Sequence, residues 1–299
     1  MSAADPRRVA AIVPCHREPP PAALLTSLRT RVGAVLVVDD GMPAPAARRL
    51  AAVAATCRCD VLTLPRNRGK GHALAAGIAA LLARREPPDA VVVLDADGQH
   101  PPEAVPAFLA AAAHADLVIG DRFADLARMP PARRLANRSA SALVRLLTRA
   151  PVRDSQCGMR LLAGRALHEV PVPPGGFESE TRHLTACLRA GVRVAWVPIP
   201  AVYGDEVSAF RPLRDSARVV AAALAAALPA TSGRTTRAAA HPISTAPTTS
   251  DGKWAPPSTR VTATVATAAS RGRRARGKRA PATSAIASQT ATCPEGKDP

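Results

Sequence analysis

Val91-Val-Val-Leu-Asp-Ala-Asp-Gly-Gln-His100 is the stretch on which the fold turns. Its apolar half reads as a strand buried on both faces, the usual form of strands in a parallel sheet. The run stops at two carboxylates one residue apart, so Asp95 and Asp97 stand at a strand exit. Hard oxygen ligands in that arrangement suit Mg²⁺ or Mn²⁺ bridged to phosphate oxygens. The same residues also fit a plain strand-end turn with Asp97-Gly98 at its corner.

Outward from this stretch the pattern repeats. Val9-Ala-Ala-Ile-Val-Pro14 is a short apolar run, and residues 21–32 follow as a helix. Val35-Leu-Val-Val38 ends at Asp39-Asp40-Gly41 and leads to a helix over 45–56. Val61-Leu-Thr-Leu64 passes through a polar loop into an alanine-rich helix over about 70–85. The strand at 90–94 precedes a helix over about 102–114 and a fifth strand, Leu117-Val-Ile119. Short apolar strands separated by helices predict an α/β fold, a doubly wound and mainly parallel sheet with helices on both faces. In such sheets the ligand sits at the carboxyl ends of the strands. Residues 14–18, 39–41, 67–71 and 95–99 are therefore expected to meet at one edge.

No GxGxxG follows the first strand and no GKS or GKT loop is present, which speaks against dinucleotide-dependent dehydrogenases and P-loop NTPases. Asn67-Arg-Gly-Lys-Gly71 is too short for a P-loop. Its Lys70 either helps a helix N-terminus hold a phosphate or is a surface lysine at a helix start.

The 299 residues suit a domain over 1–230, with a nucleotide-sugar half at about 8–122 and an acceptor half at about 123–230, followed by a tail over 231–299. Only 2% of residues are aromatic, so the core falls to Ala, Val and Leu. The formal net charge of +17 favours anionic partners, although arginine-rich coding accounts for part of it. From about residue 231 the chain is rich in Thr, Ser, Ala, Pro and Arg and carries Arg271-Gly-Arg-Arg-Ala-Arg-Gly-Lys-Arg279. It reads as a disordered basic tail, either attached electrostatically to anionic lipid or nucleic acid or simply solvated. Six cysteines, at 15, 57, 59, 157, 187 and 293, form no framework, and Cys57-Arg-Cys59 has no second pair at zinc spacing. With no secretory signal preceding them, a reducing cytoplasm is the expected compartment. No run reaches the ~18 apolar residues of a membrane span, residues 219–230 being too short.

Val13-Pro-Cys-His-Arg-Glu18, Val37-Val-Asp-Asp-Gly41, Asn67-Arg-Gly-Lys-Gly-His-Ala73, Asp95-Ala-Asp-Gly-Gln-His-Pro-Pro-Glu103, Gly120-Asp-Arg122 and Asp154-Ser-Gln-Cys-Gly-Met-Arg160 together resemble the family-2 glycosyltransferases. Their order and spacing are most similar to the subgroup of polyprenyl-phosphate mannosyl- and glucosyltransferases, such as dolichol-phosphate mannose synthase. The resemblance covers residues 8–220. It implies a GT-A fold, a nucleotide-diphosphate-sugar donor and inversion at the anomeric carbon.

Carried over by position, the resemblance sets Pro14 and Glu18 against the nucleotide and Asp40 near its base or ribose. Asp95 faces nucleotide and metal, and Asp97 and Gln99 hold Mg²⁺ or Mn²⁺ on the diphosphate, with Lys70 as a further phosphate contact. A divalent ion there offsets charge developing on the departing nucleoside diphosphate. Arg122 falls near the acceptor, where a guanidinium binds phosphate bidentately. Asp121 stands where the family more often has Ser. Asp154, Arg160, Glu178 and Glu180 belong to loops closing over the sugar. Glu180 and Asp154 are the candidate bases for a hydroxyl acceptor, or else ion-pair partners; a lipid phosphate is already an oxyanion and needs no base. Residues 203–215 resemble the segment that touches the donor diphosphate, through Ser208 and Arg211, with Ala209 where relatives carry His. His16 and His100 rank below the acids as ligands, because oxygen donors already supply the metal.

Many members of the subgroup carry C-terminal transmembrane helices, whereas this chain ends in a polar basic tail. Residues 126–148, with Arg133, Arg134, Arg138 and Arg145 among Ala, Leu and Val, form either an amphipathic helix on a membrane surface or an ordinary packed helix. The resulting expectation is a metal-dependent, inverting transferase that is cytoplasmic, either free or peripheral at the inner face of the membrane. It moves a hexose from a UDP- or GDP-sugar to a polyprenyl phosphate or other lipid-linked acceptor, with no dedicated nucleic-acid partner. The alternatives are a nucleotidyltransferase of related fold, or a catalytically silent nucleotide-sugar-binding protein whose basic tail binds nucleic acid.

Overall fold

The structure, a computed structural model, describes residues 5–124, 129, 131–176 and 178–200. Residues 9–13 are buried at every position, so both faces of this first strand are covered. Among the described residues one seven-stranded sheet forms from β1 (Val9–Cys15), β2 (Ala34–Asp39), β3 (Asp60–Thr63), β4 (Ala90–Val93), β5 (Leu117–Asp121), β6 (Arg160–Ala163) and β7 (Val194–Pro198). The spatial order is β3-β2-β1-β4-β6-β5-β7. β6 runs antiparallel to both neighbours, β4 and β5, and the other pairings are parallel.

Between the strands lie α1 (Ala22–Arg29), α2 (Ala44–Cys57), α3 (Lys70–Leu82), α4 (Val105–Ala111), α5 (Pro131–Thr148), α6 (Gly164–His168) and α7 (Glu178–Arg189). The steps β1 to β2 to β3 go one way along the sheet and β3 to β4 goes the other. Right-handed crossovers therefore put α1 and α2 on one face and α3 on the opposite face. α3 lies close on the sheet: a Cβ on Gly77 would come 2.9 Å from Val38 Cγ2 and 3.2 Å from Ile12 Cδ1. This is the doubly wound, mainly parallel architecture the alternating pattern predicts.

Three placements differ from expectation. The helix expected over 102–114 is a 3-10 turn, Pro102–Ala104, followed by the shorter α4. Proline tolerates only the first turn of an α-helix, and Pro106 takes that position in α4. Arg160, expected in a loop, opens β6; Glu178 and Glu180 lie in the first turn of α7, where the helix dipole favours acids. The expected segment 126–148 is helical over Pro131–Thr148, and residues 125–128 and 130 fall outside the described residues. The tail over 231–299 and its boundary lie outside them as well.

α7 contains a buried histidine, His183, whose titration is expected to affect stability. His183 Nε2 donates to Val170 O at 3.0 Å. Burial, aided by the Arg160 charge, lowers its pKa from 6.5 to about 4. Between those values the unfolded chain binds the extra proton, so stability falls as pH drops from about 6.5 to 4, by about 3 kcal/mol in all. Asp95, whose carboxyl is held low in the fold, loses stability only below the ordinary carboxylate range and leaves this window clear. Thermal melts across pH 4 to 7 are expected to show that slope, and His183→Gln, which keeps a donor but does not titrate, to flatten it. An unchanged slope in the variant assigns the effect elsewhere.

Candidate active site

Parallel strands release their chains at the same edge, so β1, β2, β4 and β5 end there at Cys15, Asp39, Val93 and Asp121. The antiparallel β6 enters from that edge, with Arg160 in register with Val93 and Ile119. Its lead-in, residues 154–159, is thereby delivered beside the strand exits.

At the β2 exit, Asp39 Oδ1 accepts from Met42 N–H at 2.7 Å and forms the turn. Asp40 is buried and accepts from the backbone of Arg68 at 3.0 Å and Gly69 at 2.8 Å. Its own carbonyl accepts from His16 Nδ1 at 2.9 Å. Asp40 thus ties the loops after β1, β2 and β3 together. Gly41, at φ +70, permits this, since a Cβ there would lie 2.4 Å from Asn67 N.

The start of α3 presses against the start of α7. Gly71 N–H donates to Gly175 O at 2.9 Å. A Cβ on Gly71 would come 2.1 Å from Ser179 Oγ, and one on Gly69 2.6 Å from Gly175 O. Between these glycines Lys70 is carried inward. Its Nζ pairs with Asp95 Oδ1 and, at 2.9 Å, with Glu180 Oε1, leaving the side chain 11% exposed. Burial alone would raise the Asp95 carboxyl, but the Lys70 ammonium and the His100 hydrogen bond hold it well below the usual carboxylate range. Burial likewise opposes the charge on Lys70, and the two carboxylates outweigh it and raise its pKa.

Asp95 Oδ2 lies 3.2 Å from His100 Nε2. The carboxylate can only accept, so Nε2 carries the proton. The buried Nδ1 has no hydrogen-bond partner among the described residues. A Cβ on Gly158 would lie 2.3 Å from Asp95 Oδ2 and 3.0 Å from His100 Nε2, so the 154–159 segment reaches the pair only with glycine at this position.

Asp97 is exposed, and its Oδ1 accepts from Gln99 N–H at 3.0 Å, with Gly98 at φ +71. The strand-end turn is therefore real, and the carboxylate stays at the surface. Among the described residues no three His, Cys, Asp or Glu side chains converge closely enough to hold a metal by themselves. That suits an ion shared with a diphosphate, which takes one or two carboxylates and fills its remaining positions with phosphate oxygens and water. The donor set fits such an ion through Asp97; both oxygens of Asp95 are engaged by Lys70 and His100.

On the opposite side of β6, two consecutive residues at the β5 exit pair with two consecutive residues before β6. Arg122 grips Asp154 with Nε at 2.7 Å and Nη2 at 3.0 Å. Asp121 pairs with Arg153 at 3.3 Å. Asp154 is fully buried and also accepts from Gln156 N–H at 3.0 Å. Arg160 is buried as well, its guanidinium donating to the carbonyls of Cys157, Glu180 and Ser155 at 2.7 to 2.9 Å. One side chain thus ties the loop before β6 to the first turn of α7.

The structure gathers Lys70, Asp95, His100 and Glu180 into one cluster and joins Arg122 to Asp154. Glu18 lies apart, in an exposed pair with Arg49 of α2 at 2.6 Å, and Pro14 is a β1 residue in register with Val38. Ser208 and Arg211 fall outside the described residues. His100 and Gly158 are the participants that sequence reasoning undervalued. The signal for Gly158 is a glycine set between apolar residues just before a strand.

Comparison with known proteins bears on the family and the fold. The profile of Glycosyl transferase family 2 matches residues 10–167. An undecaprenyl-phosphate mannosyltransferase of Micrococcus luteus is 32% identical over 207 residues, covering 65% of this chain and 84% of that protein. An uncharacterized protein of Methanocaldococcus jannaschii is 29% identical over 146 residues, 46% of this chain and 59% of that protein's length. Among solved structures, glucosyl-3-phosphoglycerate synthase from Mycobacterium tuberculosis, in complex with Mn²⁺, UDP-glucose and phosphoglyceric acid, superposes with a TM-score of 0.55 at 22% identity, over 75% of this chain and 81% of that one. The fold is shared with these GT-A-type enzymes, and the chain belongs to glycosyl transferase family 2, as a glycosyltransferase.

Proposed function

We propose that the protein transfers a hexose from a UDP- or GDP-sugar to a polyprenyl phosphate or similar lipid-linked phosphate, with inversion and with a divalent ion. The observation that carries the reading is the strand-exit loop in which an exposed Asp97 stands beside a locked Asp95. The mannosyltransferase relative supports the lipid-phosphate acceptor, and the Mn²⁺ and UDP-glucose bound to the synthase support the donor and ion. Family membership sets the nucleotidyltransferase alternative aside.

Asp97 and Gln99 would hold the ion, which when bound would supply positive charge to the leaving nucleoside diphosphate. Asp95, fixed by Lys70 and His100, presents a carboxylate that cannot swing. Glu180 borders the sugar. Arg122 receives the acceptor phosphate, and Asp154 is its positioning residue, because a buried carboxylate with this many donors is poorly placed to take a proton. A phosphate oxygen then attacks the anomeric carbon as the bond to the diphosphate breaks, and no general base is required.

Thermal melts with UDP- and GDP-sugars, each with and without Mn²⁺, test the reading. One donor is expected to raise Tm by about 5 to 10 °C near saturation, and only with Mn²⁺. If no nucleotide sugar stabilises the protein under either condition, the reading fails.

A further inference from the structure

Gln156 carries a half-buried amide in the lead-in to β6. It stands two residues after Asp154 and two before Gly158, so its backbone is within about 7 Å of the residue that grips Arg122 and of the one that packs on Asp95. Its N–H donates to Asp154 Oδ1 at 3.0 Å, and its side chain crosses to Thr181, the neighbour of Glu180 on α7. A sugar that joins a diphosphate at Asp97 to an acceptor phosphate at Arg122 passes along this segment.

The amide is held by one end. Nε2 donates to Thr181 Oγ1 at 2.6 Å and to Ser155 Oγ at 3.3 Å, which uses both of its N–H groups. Thr181 and Ser155 are fully buried. Ser155 is fixed in turn by buried Ser141 of α5, whose Oγ accepts from Ser155 N–H at 3.0 Å and lies 3.2 Å from Ser155 Oγ. The other end, Oε1, makes no hydrogen bond among the described residues and is not shut away from solvent. Bracing the loop against α7 needs the donor end alone. An acceptor oxygen held in a fixed direction beside the path of the sugar matches a hydroxyl donor. Such a site discriminates against a sugar that lacks the hydroxyl, because the acceptor is then stripped of water and left unpaired.

We propose that Gln156 is a specificity-determining residue whose Oε1 accepts from one hydroxyl of the transferred hexose, with Thr181 and Ser155 as its positioning residues; this rests on the hexose transfer proposed above. The test takes the nucleotide sugar that stabilises the full chain with Mn²⁺ and compares its Kd with those of analogues in which one sugar hydroxyl at a time is replaced by hydrogen. In the wild type one analogue is expected to bind about tenfold more weakly than the parent through this contact. In Gln156→Leu that ratio is expected to fall to near one, while the ratios for the other analogues stay as they were. Thr181→Val, which keeps the branched shape and removes the hydroxyl, is expected to lower the same ratio by freeing the amide, and it carries the comparison if Gln156→Leu does not fold. A glutamine that only braces the loop weakens every donor alike, so unchanged ratios in the variants overturn the assignment. A wild type that binds the parent and all analogues equally overturns it as well, with the transfer reading left standing. If no nucleotide sugar binds the wild type, that reading falls and takes this assignment with it.

Discussion

Lys70→Met is expected to lower stability by about 3 kcal/mol, near 10 °C in Tm, measured by denaturant and thermal unfolding. The change strands two carboxylates at once, Asp95 and Glu180, in a site that keeps the lysine almost wholly from water. Breaking a fully buried pair costs about 3 to 5 kcal/mol, and the partial exposure of Asp95 places this one at the lower end. Pairs such as Arg8 with Asp89 and Arg165 with Glu169, about half exposed on each side and screened by water, contribute little by comparison. Because the loss comes from uncompensated charge, Lys70→Met combined with Glu180→Gln is expected to be more stable than Lys70→Met alone. A single variant within about 1 kcal/mol of wild type would show that the lysine does not hold the cluster.

Asp97→Ala is expected to do the reverse, leaving the fold intact and removing the chemistry. The side chain is exposed and makes one turn hydrogen bond, so Tm should stay within the range of ordinary surface substitutions, about 0.5 kcal/mol. Transfer from the nucleotide sugar should fall about 10²- to 10³-fold, the usual cost of losing one group that stabilises developing charge. The Mn²⁺-dependent thermal shift by the donor should vanish with it. Retention of both the rate and the Mn²⁺ response would move the metal away from Asp97. Together the two variants separate a carboxylate that binds from a lysine that builds.

The strands of the parallel half were legible because strands buried on both faces must be apolar without interruption, and their ends show as abrupt polar residues. Val9, Val35 and Ala90 begin such runs, and the acids after Val38 and Leu94 mark their exits. β6 was hidden for the opposite reason. It is four residues long and begins with Arg160, a charge that reads as loop chemistry until Cys157, Ser155 and Glu180 supply carbonyls for it. The place of Lys70 was equally hidden, since Glu180 arrives from far along the chain and only the packed α3 and α7 termini bring it near. The glycines on either side of Lys70 were the one local sign that something approaches closely there. For Asp97 the two readings proved compatible, because the turn bond to Gln99 and an exposed carboxylate coexist.

The position of β6 also has a history in time. β4 and β5 follow one another along the chain, yet β6, made later, lies between them. A chain leaving the ribosome therefore carries a slot in its half-built sheet, with one edge of β4 offering unpaired N–H and C=O groups until the later strand is threaded in. Seating β6 closes that slot and, in the same movement, brings Gly158 onto Asp95 and joins Asp154 to Arg122. Newly made molecules are expected to stay inert until β6 is in place, and a chain terminated before residue 160 is expected to be aggregation-prone, with the β4 edge left open.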